Sequence, residues 1–311
     1  MSLITLQFSY SALFGRKIGI KEILPAGMCY GAAKNLIFES GYINHGNTIA
    51  YHPDHIGRGI WISMAEEGRN QLLIRLPSPC TDEDIDDTIA IAKRILGKYG
   101  TEMQVNDKAM TFQQLKDSAE SLRTANLHVL HETMQNVLDG HMGSLILSCA
   151  LHPLAFGKKE ADTLWAGTDT HAYRDLLHRL QSIKAVYAQP QFYQSKIEKD
   201  CIIGIYSLAS KMRCILPIHP SIPLAYFDRS RKKFQFDVKE WHVSLYSTDE
   251  KKIIGNIPYD KMMTALASEQ YSYYDADSIL IEPIDEEKLQ SMNEKEDIPT
   301  EHSVSKQNAS V

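Results

Sequence analysis

LPSPCTDEDIDDTIAIAKRILGKYG, residues 76–100, holds a strand end, a proline turn and a complete helix in that order. Prolines at 77 and 79 close an apolar strand. Thr81 is placed to cap a helix, because its hydroxyl can accept one of the backbone N–H groups that the first turn leaves unpaired. The carboxylates of DEDIDD then face the positive end of the helix dipole. Ile85, Ile89, Ile91, Ala92 and Ile95 recur at helical spacing and supply an inward face. Lys93, Arg94 and Lys98 gather toward the C-terminus, and Gly97 or Gly100 ends the helix. The acidic run lacks the sixth-position glycine and the twelfth-position glutamate of a calcium loop, so it reads as a capping sequence.

Before this helix, Gly57–Met64 and Gln71–Leu76 read as two strands joined by the charged turn AEEGRN, a hairpin pattern. Ile4–Tyr10 alternates apolar and polar residues as a half-buried strand does, and Phe14–Ile20 is a candidate return strand. After it, Thr111 caps a second helical stretch through Leu138, and Thr170–Ile183 forms a third helix. Strands are expected at Ser144–Ala150, Ile202–Leu208, Cys214–Ile218, Trp241–Tyr246, Ile254–Ile257 and Ser278–Ile284, with a helix at Tyr259–Ala267. The order is mixed, not regularly βαβ. It predicts an α+β fold, largely antiparallel sheet covered by three or four helices. The expected organisation is an N-terminal lobe over 1–105 and a C-terminal lobe over 106–291 packed on it, or one continuous domain. A polar tail over 292–311, with almost nothing to bury, is expected to be disordered.

Composition narrows the function classes. The chain has 311 residues and 33 basic against 39 acidic side chains, a net charge of −6. Such a chain has no overall attraction to phosphate backbones, so no nucleic-acid partner is expected. No apolar run is long enough to span a bilayer, and the N-terminus lacks the pattern of a secretion signal. Five widely spaced cysteines suit reduced, buried thiols in a cytosolic protein.

The stretch most suggestive of chemistry is YHPDHIGRGI, Tyr51–Ile60. His52, Asp54 and His55 could face one divalent cation, with further ligands from His45 or from His128 and His131. Pro53 followed by Asp54 equally makes an ordinary turn. GRGI resembles a fragment of a phosphate-cradling loop, but it lacks the third glycine and a following helix. Cys149 and His152 lie close in sequence at the end of an apolar strand, where packing explains them. No nucleophile elbow, zinc-protease helix, Walker loop or dinucleotide fingerprint occurs. Two aromatic groups, YAQPQFY at 187–193 and YSYYD at 271–275, suit a contact surface. Tyr271, Tyr273, Tyr274 and Asp275 are the candidate binding residues. Their acidic setting, with Asp277 and IDEE at 284–287, would steer a basic protein partner.

Several segments together carry a resemblance: Arg58–Ile60, LIRLPSP at 73–79, LLHRLQSIKAVYAQPQFY at 176–193, IIGIYSL at 202–208, ILPIHPSIP at 215–223, Trp241 and GNIPYDKMM at 255–263. The chain resembles a bacterial family of about this length catalogued only as a domain of unknown function. The resemblance implies a bacterial origin and one conserved architectural unit, and it brings no catalytic residues. The expectation is therefore a non-catalytic cytosolic protein-binding protein, for example of the toxin-neutralising immunity type, with no cofactor. The alternative is a metal-assisted hydrolase centred on His52, Asp54 and His55, which would require a divalent metal.

Overall fold

The computed structural model describes residues 2–9, 18–34, 37–44, 46–64, 71–165, 167, 169–194, 201–223, 238–266 and 270–294. The chain divides into two compact units, Met1–Ile183 and Lys184–Val311. The fold is α+β with mostly antiparallel sheets.

The first unit contains, in order, β1 (Ser2–Ser9), α1 (Ile20–Ile23), β2 (Cys29–Lys34), β3 (Ile37–Ser40), β4 (Thr48–Tyr51), β5 (Ile60–Met64), β6 (Gln71–Pro77), α2 (Asp82–Tyr99), β7 (Glu102–Val105) and β8 (Lys108–Ala109). It continues with α3 (Phe112–Asp117), α4 (Ala119–Leu138), β9 (Leu145–Leu147), β10 (Leu154–Phe156), α5 (Lys158–Trp165) and α6 (His171–Gln181). Eight strands form one antiparallel sheet in the order β3-β2-β4-β5-β6-β1-β7-β8, and β9 pairs with β10 separately. The expected hairpin is β5 with β6, Ile62 opposite Ile74. Its turn, 65–70, lies outside the described residues, as do residues 14–17 of the expected return strand, whose last residue, Ile20, opens α1 instead.

Alternation decides which sheet face is covered. Ile4, Leu6 and Phe8 of β1, Ile60 and Ile62 of β5, and Leu72, Ile74 and Leu76 of β6 are buried in one cluster with Ile85, Ile91, Ala92 and Ile95 of α2. Both N-caps read from the sequence, Thr81 and Thr111, form capping boxes. Thr81 exchanges hydrogen bonds with Asp84, and Thr111 does so with Gln114. Gly100, in the left-handed region at φ 57°, ends α2; Gly97 is an ordinary helical residue.

The expected lobe boundary near residue 105 falls inside the first unit. The reason is packing: Leu115 of α3 belongs to the same core as α2. Asn126 of α4, fully buried, accepts the Cys80 N–H at 2.8 Å and donates to the Cys80 carbonyl at 2.8 Å. One side-chain amide thus supplies both partners that a neighbouring strand would give Cys80.

The second unit contains β11 (Val186–Tyr187), β12 (Gln191–Gln194), β13 (Ile202–Ala209), β14 (Cys214–Pro217), β15 (Val238–Ser247), β16 (Lys252–Pro258), α7 (Tyr259–Ala265), β17 (Tyr271–Tyr273), β18 (Ser278–Ile281) and α8 (Glu286–Glu294). Its two four-stranded sheets run β11-β14-β18-β17 and β12-β13-β15-β16. Only the β11–β14 and β13–β15 pairs among the described strands are parallel. Gly204 of β13 is required by its neighbour: a Cβ there would come within 2.4 Å of the Trp241 ring. Trp241 also stacks on Tyr206 and meets Phe192 edge-on. Helix α8 includes Met292, which is buried in this unit's core, so the expected tail does not begin at residue 292. Residues 295–311 lie outside the described residues.

Asn126→Ala would leave the Cys80 N–H and carbonyl unpaired in the interior. The expected loss is about 2–4 kcal/mol in urea unfolding, since each stranded buried polar group costs about 1–3 kcal/mol.

Candidate functional site

Residues 52–55 form a turn in which the His55 N–H donates to the His52 carbonyl at 3.2 Å. The two imidazoles stack with centroids 4.3 Å apart and planes 4° from parallel. Metal-binding lone pairs lie in the ring plane, so parallel rings do not direct them at one ion. His55 Nε2 faces Asp87 Oδ2 at 3.2 Å, and His52 Nδ1 accepts the Asp54 N–H at 3.3 Å. Asp54 itself points outward, its carboxylate 86% exposed. Among the described residues, no group of three or more His, Cys, Asp and Glu is placed to hold a metal ion. His45 lies outside the described residues; His131 Nε2 faces the Gly167 carbonyl at 3.0 Å, and His128 is exposed.

Behind the turn, Ile56–Gly59 is fastened from three sides. The Ile56 N–H donates to His178 Nδ1 at 3.1 Å, which puts the ring proton of a neutral His178 on Nε2. The Gly57 carbonyl accepts from Gln181 Nε2 at 2.8 Å, while Gln181 Oε1 accepts the Leu151 N–H at 3.0 Å. The Arg58 and Gly59 N–H groups both point at the Asp84 carboxylate, at 2.9 and 3.4 Å. Asp84 Oδ2 also accepts the Thr81 N–H at 3.1 Å.

GRG is therefore an anion cradle whose anion is the chain's own Asp84. Its glycines have separate reasons. A Cβ on Gly57 would lie 2.3 Å from Asp84 Oδ2. Gly59 sits at φ 75°, and a Cβ there would press on Ile49 at 2.6 Å. Burial raises the Asp84 carboxyl above its ordinary value, against the N–H donors that lower it.

The Arg58 side chain is buried with them. Its Nε donates to the Ser148 carbonyl at 2.6 Å and its Nη1 to the Pro79 carbonyl at 2.7 Å. Tyr173, whose phenol burial pushes up, donates to the same Pro79 carbonyl at 3.1 Å. The guanidinium thus ties the β6–α2 turn to the segment after β9, solvated by carbonyl dipoles and a phenol. This is an assembly joint: Arg58 Nε and Nη1 and the Tyr173 hydroxyl are engaged by backbone carbonyls. Cys149 and His152 are likewise engaged locally, with burial lowering the His152 imidazole.

The aromatic candidates divide. Tyr273 projects from the outer strand β17 and is 73% exposed, whereas Tyr271 packs on the core of its unit. Tyr274 and Asp275 are both 5% exposed. They close the β17–β18 turn, where both backbone N–H groups reach the Ser278 carbonyl and Asp275 Oδ1 accepts the Asp277 N–H at 3.0 Å. They form the inside of a turn, so of the four expected contact residues Tyr273 alone is exposed. In the earlier aromatic group, Phe192 and Tyr193 are half-buried.

The residues that sequence reading passed over are Asn126, His178 and Gln181. Their signal was a polar side chain at an inward position of an amphipathic helix, such as Gln181 beside Leu177 and Leu180.

Gly57→Ala is expected to force Asp84 off its helix cap and to destabilise the chain by about 2–4 kcal/mol in urea unfolding, the range for a strained position with a lost buried bond. Gly46→Ala, at an exposed loop position whose new Cβ meets only Asn44 Oδ1 at 3.7 Å, is the matched control and should change little.

A family model described as a domain of unknown function (DUF4299) matches residues 15–292. No curated protein and no solved structure matches the chain. The match takes in β2 to β18 and almost all of α8, which includes the Gly57–Gly59 cradle, Asp84 and Tyr273, and on that extent the chain belongs to the DUF4299 family.

Proposed function

We propose that this chain is a non-catalytic bacterial cytosolic protein that acts by binding another protein, with its contact surface on the second unit around Tyr273. The observation that carries this reading is Tyr273 itself: a whole aromatic side chain, 73% exposed, on an outer strand with no described strand beyond it. Tyrosine gives a large, easily ordered contact area with a polar tip. An open strand edge offers backbone groups for an added strand. Ile253, on the outer strand β16 of the other sheet in this unit, is also exposed, at 60%.

Charge supports a basic partner. Asp249, Asp285, Glu286 and Glu287 surround a surface hollow of the second unit that contains the single cation Lys211. Such a surface speeds encounter with a basic protein and selects against acidic ones. An immunity-type protein, which neutralises a basic toxin by covering it, fits these features. The free thiols, four of the five buried, suit the cytosol.

The test is photo-crosslinking in cells of the source organism, with p-benzoylphenylalanine at Tyr273. One basic protein should be trapped there, and not with the probe at exposed Lys108 on the first unit. Asp285→Lys with Glu287→Lys should weaken the purified complex at least tenfold. Crosslinks no different from those at Lys108, or a complex indifferent to the charge reversal, would overturn the reading.

A further inference from the structure

One face of α2 is left uncovered by the described residues of its own unit. Ala90, Lys93, Arg94, Gly97 and Lys98 follow the spacing that stacks side chains along a single helical stripe, away from buried Ile91, Ala92 and Ile95. Glu22 and Pro25 form the opposite wall, and the open groove between them has a volume of about 510 Å³. Its floor is small and apolar and its rim is basic.

Local structure explains one of the three cations. Lys98 lies in the last turn, where it opposes the helix dipole, and it pairs with Glu22 at 2.9 Å. Lys93 and Arg94 lie before that turn, beyond the reach of the dipole effect. Neither has a carboxylate within 4.0 Å among the described residues. Two half-buried arginines of this unit are paired, Arg123 with Asp86 and Glu120 and Arg174 with Glu83 and Asp175, whereas exposed Arg179, like Arg94, has no carboxylate within 4.0 Å among the described residues.

Gly97 is likewise unexplained from within. The helix ends at Gly100, and Gly97 has no left-handed backbone angle. A Cβ at Gly97 would meet no described atom within 4 Å. Glycine in a helix is the least favourable choice short of proline, and here neither packing nor capping requires it. A backbone approaching from outside would.

We infer that this stripe of α2 is a docking groove for an acidic peptide segment of a partner protein, whose carboxylates meet Lys93 and Arg94 while its backbone rests on Gly97. An open groove leaves most of a small molecule in water, so it suits a chain that continues past both ends. Two adjacent unpaired cations select carboxylates. The Glu22–Lys98 pair at the far end leaves no free positive charge there, which fixes where along the groove the acidic residues lie.

The test pans a random dodecapeptide phage library on the full chain and measures the enriched peptides, synthesised with a fluorescein label, by anisotropy. Enriched peptides should carry adjacent acidic residues. Lys93→Glu with Arg94→Glu should weaken binding at least tenfold. Gly97→Ala should weaken binding while leaving the melting temperature unchanged or raised by about 2 °C, because alanine is the better helix former. No enrichment over the charge-reversed variant, peptides without acidic residues, or affinities indifferent to both variants would overturn the inference. Equal, variant-sensitive binding of a poly-dT 20-mer or of inorganic phosphate would also overturn it, by making the groove a general anion site.

Discussion

The carboxylate of Asp84 is the interaction on which the first unit is assembled. It caps α2 from the third helical position, where Glu or Gln is usual, and its short side chain keeps it close to the backbone. From there it also collects the N–H groups of Arg58 and Gly59, at the start of β5. One buried anion therefore sets where α2 begins and where β5 begins, and holds the two together. The charge is tolerable because the helix N-terminus and convergent backbone donors replace its water. Gly57 makes the approach sterically possible, and Gln181 and His178 of α6 hold the loop from the other side.

The neighbouring Arg58 obeys the same rule with opposite sign. Its guanidinium is surrounded by the carbonyls of Pro79 and Ser148 and by the Tyr173 phenol. Sequence motifs made of Gly, Arg and His are often read as sites for ligands. Here the backbone cradle already holds an anion and the arginine already holds its acceptors, both supplied by the chain. Exposed side chains lie elsewhere, among them Tyr273 on the second unit and Lys93 and Arg94 on the outer face of α2.

The parts legible in the sequence were those set by local rules. The N-cap at Thr81, the isoleucine stripe of α2, the alternation of β1 and the hairpin of β5 and β6 each announce themselves within a few residues. The turn at 52–55 was legible from Pro53 and Asp54. What could not be read depended on distant partners. Asn126 looks like an interruption of the α4 apolar face until Cys80, 46 residues earlier in the chain, supplies its bonds. Tyr274 and Asp275 look like part of an exposed tyrosine run until the β17–β18 turn folds them inward. Gly57 looks like half of a phosphate loop until Asp84 arrives from 27 positions on. Short elements such as β8 and α8 are too brief to carry a strong periodic pattern of their own.

The most direct test of the central role of Asp84 is native-state hydrogen exchange at the Arg58 amide, in the wild-type chain and in Asp84→Ala. If the carboxylate is what joins β5 to α2, this amide exchanges only when the first unit opens cooperatively. Its opening free energy should then fall by about 3–5 kcal/mol in the variant, the sum of a lost cap and stranded buried donors. An opening free energy unchanged to within about 0.5 kcal/mol, the range of an ordinary surface substitution, would contradict that role. It would mean that the loop and the helix hold their places without the charge between them.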